Sequence, residues 1–133
     1  MNSSLSIDNK YIYQYLTNSS KPKGIVHICH GMAEHIKRYS WLIEKLNVDG
    51  YHVISIDHRG HGNRIENNIK GYFGEINGWN MVVKDLLELV EGSKNKSPDL
   101  KQYVLAHSMG SWIALAALQK GMDVDGLIIS GSS

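Results

Sequence analysis

Ser108 stands in the run Leu105-Ala106-His107-Ser108-Met109-Gly110-Ser111, between an apolar strand-like stretch and a helix-forming stretch rich in Ala, Leu and Ile. A serine hydroxyl is a weak nucleophile near neutral pH unless a base takes its proton and N–H donors hold the resulting oxyanion. Small residues two before and two after the serine permit a sharp strand-to-helix turn, and Ala106 and Gly110 meet that need. The amino terminus of the following helix adds partial positive charge where an anion would develop. Serine also favours the helix N-cap, a position in which it would do no chemistry. Both readings of Ser108 start from the same turn.

An oxyanion needs two donors. The N–H of Met109, directly after the serine, is one candidate. The other lies in His30-Gly31-Met32, where Gly31 lets the backbone turn and Met32 can present its N–H. The two methionines are also candidates to line an acyl pocket.

The base is harder to find, because all seven histidines (His27, His30, His35, His52, His58, His61 and His107) precede the serine. Triad order differs between folds, so His30, His58 or His61, with Asp57 beside them, is open in principle. His107 adjoins the serine, but at such a turn its side chain should point away from the hydroxyl. His27/His30 and His58/His61 each have i, i+3 spacing, which on a strand sends two side chains to opposite faces. Without a third ligand at fixed spacing, neither a metal nor a cofactor is expected.

Several elements must position these residues. Tyr11 to Leu16 alternates aromatic and polar residues, and Asp8-Asn9 before it suggests a hairpin turn from a short first strand. Gly24–Cys29, His52–Asp57, Gln102–Ala106 and Gly126–Ser130 are apolar runs of strand length. Between them, Tyr39, Leu42, Ile43 and Leu46 share one helical face ahead of Gly50, and Trp79, Val83, Leu86, Leu87 and Val90 share another ahead of Gly92. Met109 to Lys120 is a third helix. Trp41, Trp79 and Trp112 fall in these helices, where packing is their simplest use. A long Gly- and Asn-rich loop, 58–78, joins the second core strand to the second helix.

Strands alternating with helices predict an α/β fold, a mainly parallel sheet with helices on both faces. Functional groups in such sheets gather beyond the carboxyl ends of the strands. Here those ends are His30-Gly31, Asp57-His58, His107-Ser108 and Ser130-Gly131.

Composition narrows the classes. The chain has 133 residues, 42% hydrophobic and 20% charged, enough for one domain with a core. A net charge of +1 with scattered Lys and Arg gives no footprint for nucleic acid or for a polybasic membrane anchor. The amino terminus lacks the apolar core of a signal peptide, no stretch is long enough for a bilayer, and a cytoplasmic protein is expected. Cys29, the single cysteine, permits no internal disulfide and reads as a small buried hydrophobe.

In order along the chain, HGMAEHIKRY, GYHVISIDHRGHG, GYFGEINGWNMVVKDL and LAHSMGS resemble the serine lipases of the α/β-hydrolase fold. The resemblance is strongest to the monoacylglycerol lipase and lysophospholipase-like hydrolases. It implies a serine ester hydrolase without cofactor, acting on acyl esters of small or lipid alcohols. Ser108 matches the nucleophile, Met32 and Met109 the two oxyanion donors. Ala106 departs from the usual glycine, as in some relatives. The resemblance also implies that residues 1–133 form the amino-terminal part of a hydrolase domain. Cap, carboxy-terminal strands, triad acid and triad histidine would lie beyond it. Only Asp123 and Asp125 follow Ser108 as acids, at the far end of the sheet. Two expectations follow: little turnover by the chain alone, or a non-catalytic module that self-associates through an exposed edge strand, Leu127 to Ser130.

Overall fold

A strand that is apolar at nearly every position must be covered on both faces, and Gly24-Ile-Val-His-Ile-Cys29 sits where that happens, third in a five-stranded sheet. The computed structural model describes residues 12–31, 36–58 and 78–131. Its strands are β1 (Ile12–Tyr15), β2 (Gly24–Cys29), β3 (Tyr51–Ile56), β4 (Gln102–His107) and β5 (Gly126–Ser130). Its helices are α1 (Ser40–Val48), preceded by a 3-10 turn at Ile36–Tyr39, α2 (Gly78–Lys96) and α3 (Met109–Gln119). The strand order is β1-β3-β2-β4-β5. β2 to β5 are mutually parallel, and β1 runs antiparallel to β3. The turn suggested at Asp8-Asn9 and nearly all of the 58–78 loop lie outside the described residues.

Helices cover the two faces unequally. α1 lays Ile43, with Leu42 and Leu46, on Val26, Ile28 and Val53. α2 and α3 place Val82, Val83, Leu86, Val90, Ile113, Ala114 and Ala117 against Cys29, Val104 and Ala106 on the opposite face. From β2 the chain moves outward to β3, then returns through α2 to β4 on the other side of β2. The connections therefore diverge at the carboxyl ends of β2 and β4, the switch point where such sheets open a crevice.

Two sequence expectations are corrected. α2 does not close at Gly92 but continues to Lys96. Its last turn is tied down by buried Ser93, whose Oγ donates to Gln102 Oε1 at 3.0 Å. That bond and the packing around it outweigh the roughly 1 kcal/mol that glycine costs inside a helix. The tryptophans are not core residues: Trp41 is 70% exposed, Trp112 55% and Trp79 42%. Trp41 stands on the outer side of α1 with Lys45 Nζ 5.5 Å from its ring centroid. Trp112 stands on the outer side of α3, next in sequence to fully buried Ile113.

A polar cluster lies under α2, in the middle of the sheet. Nε2–H of fully buried His27 donates to Gln102 Oε1 at 2.7 Å, and the Gln102 N–H donates to Asp125 Oδ2 at 2.8 Å. His27 Nδ1 finds no partner among the described residues. Burial pushes the His27 pKa down to about 4, against the opposing effect of the Gln102 bond.

Candidate active site

Ser108 is the residue between β4 and α3, and its backbone carries the strain of the turn. With φ 54° and ψ −120°, it is the one non-glycine residue of positive φ among those described. Such conformations cost about 1–3 kcal/mol and persist only where the surroundings enforce them. Three contacts do so. The Ser108 N–H donates to Ser130 O at 2.8 Å, which ties the turn to the end of β5. The N–H and Oγ of Ser111 both donate to Ser108 O, at 2.9 and 2.5 Å. The first turn of α3 also rests on the end of β2. A Cβ at Gly110 would lie 2.6 Å from His30 O and would overlap Cys29 O.

The small residues around the serine are thus explained by contact. Gly110 admits the close approach of α3 to β2. Ala106 is fully buried, in register with Cys29 on one side and Ile129 on the other. The N-cap alternative for Ser108 does not hold, because its side chain makes no capping hydrogen bond to α3. The hydroxyl is carried on a half-buried residue at the switch point.

β2 and β3 lock together beneath the turn. His30 is fully buried, and its Nε2 accepts the N–H of His58 at 2.9 Å. The proton must therefore sit on Nδ1, which donates to Gly31 O at 2.9 Å. His58 Nε2 in turn donates to His30 O at 3.1 Å, and the two rings lie 4.0 Å apart between centroids. Both nitrogens of His30 are committed, so it cannot accept a proton from Ser108 without releasing the His58 backbone. Asp57, also buried, accepts the Tyr13 hydroxyl at 3.0 Å. Cys29 donates its thiol to Gly110 O at 3.2 Å, and burial pushes its pKa upward, so it is an inert packing group.

The remaining sequence candidates fall as follows. His107 turns toward β5, its Nδ1 3.4 Å from Ser130 Oγ and its ring against Gly131. Met109 opens α3, half-buried, and packs against the core between α2 and α3. Met32, His35 and His61 lie outside the described residues. Asp123 and Asp125 occupy the connection from α3 to β5, where Asp123 pairs with Lys94 and Asp125 holds the start of β4. Sequence reasoning missed the His30–His58 lock and the Ser111 bonds to Ser108. The only available signal was polar residues at strand ends.

A mainly parallel sheet with a strained serine turn at its switch point is the architecture of an α/β-hydrolase. Residues 20–133 match the serine aminopeptidase S33 family, and the chain belongs to that family. It is 35% identical over 117 residues to the monoglyceride lipase homolog of monkeypox virus, covering 87% of this chain and 41% of that protein. It is 34% identical to the monoacylglycerol lipase of Mycolicibacterium smegmatis, covering 80% of this chain and 36% of that one. A thermostable carboxyl esterase from Bacillus coagulans superposes with a TM-score of 0.79 at 33% identity, over 89% of this chain and 38% of the esterase. The chain thus spans about two fifths of the length of these relatives. Among the described residues, no helix is long and apolar enough to cross a membrane.

Proposed function

We propose that this chain is the nucleophile-bearing part of a serine ester hydrolase acting on acylglycerols, lysophospholipids or similar acyl esters. The strained Ser108 turn carries the reading, with its hydroxyl not used as a helix cap and α3 aimed at it. Ser108 Oγ attacks the ester carbonyl, and its proton passes to a histidine. The N–H groups of Met109 and Met32 hold the oxyanion. The tetrahedral species expels the alcohol, which takes that proton, and water then releases the acid from the acyl-serine. The relatives named as lipases and an esterase support the substrate class.

The base and its carboxylate are assigned to a polypeptide segment outside these 133 residues: among the described histidines, His30 commits both ring nitrogens to backbone bonds and His107 turns toward Ser130. The chain by itself should hydrolyse p-nitrophenyl butyrate no faster than its Ser108→Ala variant. Robust turnover by the chain that Ser108→Ala abolishes would contradict this. The reading is tested in a single-chain chimera, with this chain replacing the matching amino-terminal part of the Bacillus coagulans esterase. Turnover lost at least a thousandfold on Ser108→Ala is expected. A folded chimera that ignores the substitution would overturn the assignment.

A second reading, a non-catalytic module that pairs with its own copies, draws on the edge strand β5, where Ile128 and Ile129 are exposed.

A further inference from the structure

Ser111 is fully buried in the first turn of α3, and a hydroxyl shut away from water must find an acceptor inside the protein. It finds Ser108 O, to which Ser111 Oγ donates at 2.5 Å beside the Ser111 N–H at 2.9 Å. Serine inside a helix commonly bonds back to a carbonyl three or four residues earlier, a local use with no bearing on chemistry. Here, however, the carbonyl belongs to the one described non-glycine residue of positive φ, the residue that carries the candidate nucleophile.

Ser108 O shares its peptide group with the N–H of Met109. A trans peptide is planar, so its C=O and its N–H point in opposite directions. Whatever holds Ser108 O therefore aims the Met109 N–H. Ser108 O points into α3, toward Ser111, and the Met109 N–H accordingly points out of the helix amino terminus. Met109 is the first residue of α3, so no carbonyl four residues back within the helix takes its N–H.

We infer that Ser111 is a positioning residue whose hydroxyl, acting through Ser108 O, orients and polarises the Met109 N–H toward the oxyanion, a role that rests on the function proposed above. The peptide plane turns with ψ of Ser108 and φ of Met109, and a side-chain donor anchored one turn away restrains both. Hydrogen bonds in series also reinforce one another: density drawn onto Ser108 O makes the Met109 N–H a stronger donor. A donor fixed in advance needs no reorganisation as charge develops, so the gain falls on the transition state and not on substrate binding. The Ser111 hydroxyl proton is committed to Ser108 O, and Ser111 acts only through that atom.

The first test uses the full chain labelled with 13C and 15N. Ser111→Ala keeps the main-chain bond to Ser108 O and suits a helix, so the variant should fold with unchanged circular dichroism. The Ser108 carbonyl 13C resonance should move upfield and the Met109 15N resonance should shift with it. If neither moves, the inference is overturned. The second test is kinetic, in the single-chain chimera with the Bacillus coagulans esterase. Ser111→Ala should lower kcat for p-nitrophenyl butyrate about tenfold at nearly constant KM, less than the roughly 10²–10³-fold lost when an oxyanion donor itself is removed. Ser111→Cys, similar in shape with a weaker donor, should fall between the two. Ser93→Ala, which removes another buried helix hydroxyl at the opposite end of β4, should leave kcat unchanged. An unchanged kcat in Ser111→Ala, while Ser108→Ala abolishes turnover, would overturn the inference and leave the site reading standing. A change in KM alone, or an equal loss in Ser93→Ala, would likewise overturn it by reducing Ser111 to a packing residue. Turnover that ignores Ser108→Ala would refute the site reading, and the oxyanion role with it, whatever the resonances show.

Discussion

Val104 and Ile128 are similar β-branched residues on adjacent parallel strands, yet Val104 is wholly buried and Ile128 is 57% exposed. β4 has β2 on one side, β5 on the other, and α2 and α3 over one face. β5 has only β4. The same contrast repeats one turn away on α3, where Ile113 is buried and neighbouring Trp112 is exposed. Residue type sets what a position can bury, and neighbours decide whether it does. The centre of the sheet is covered and holds the serine turn; among the described residues its β5 side is apolar and exposed.

This contrast can be broken most sharply at the centre. Gly110→Val should cost about 3 kcal/mol or more, because its side chain would occupy the space of Cys29 O and His30 O. Ile113→Ala should cost about 2–5 kcal/mol by cavity formation. Both are read as shifts of the urea midpoint. A Gly110→Val chain with an unchanged midpoint would show that α3 does not rest on β2 as described.

The next largest effect is in acid. The His27 pKa is near 4 in the folded protein and near 6.5 when unfolded, so the unfolded chain binds the extra proton first. The neutral-His27 contribution is complete above pH 6.5 and is lost as the pH falls through 4, about 3 kcal/mol in all. Urea titrations at stepped pH should show this loss in the parent relative to His27→Leu. Parallel curves for the two chains would contradict it.

Smaller effects belong to the periphery. Asp125→Ala removes the acceptor for the Gln102 N–H at the start of β4 and should cost about 1 kcal/mol. Trp112→Ala should change the stability of the isolated chain by less than about 0.5 kcal/mol, against several at Ile113. A large loss at Trp112 would mean that its ring is already covered.

How far the sequence reaches follows the same division. Gly24–Cys29 and Gly126–Ser130 could be bounded from sequence because an apolar run flanked by turn residues has few alternatives. The need for a small residue at 110 was legible because the turn geometry demands it, although the atoms it approaches were not. The sequence ends α2 too early at Gly92, since the bond that carries the helix on runs from Ser93 to an acceptor, Gln102, nine residues further and on another element. The tryptophans lie in the helices the sequence predicts, but their exposure is not legible there, because membership of a helix does not say whether anything lies against a side chain. The His30–His58 lock joins residues 28 apart through backbone atoms that no side-chain pattern displays.

The central claim is that the turn presents Ser108 as a nucleophile once a base is supplied. Fluorophosphonate labelling followed by peptide mass analysis tests it directly, since the serine oxygen bonds to phosphorus as fluoride leaves. In the single-chain chimera the account predicts the adduct on the peptide carrying Ser108, absent from its Ser108→Ala variant, with slow or no labelling of this chain alone. An adduct on Ser111 or elsewhere, or equally fast labelling of the isolated chain, would contradict it.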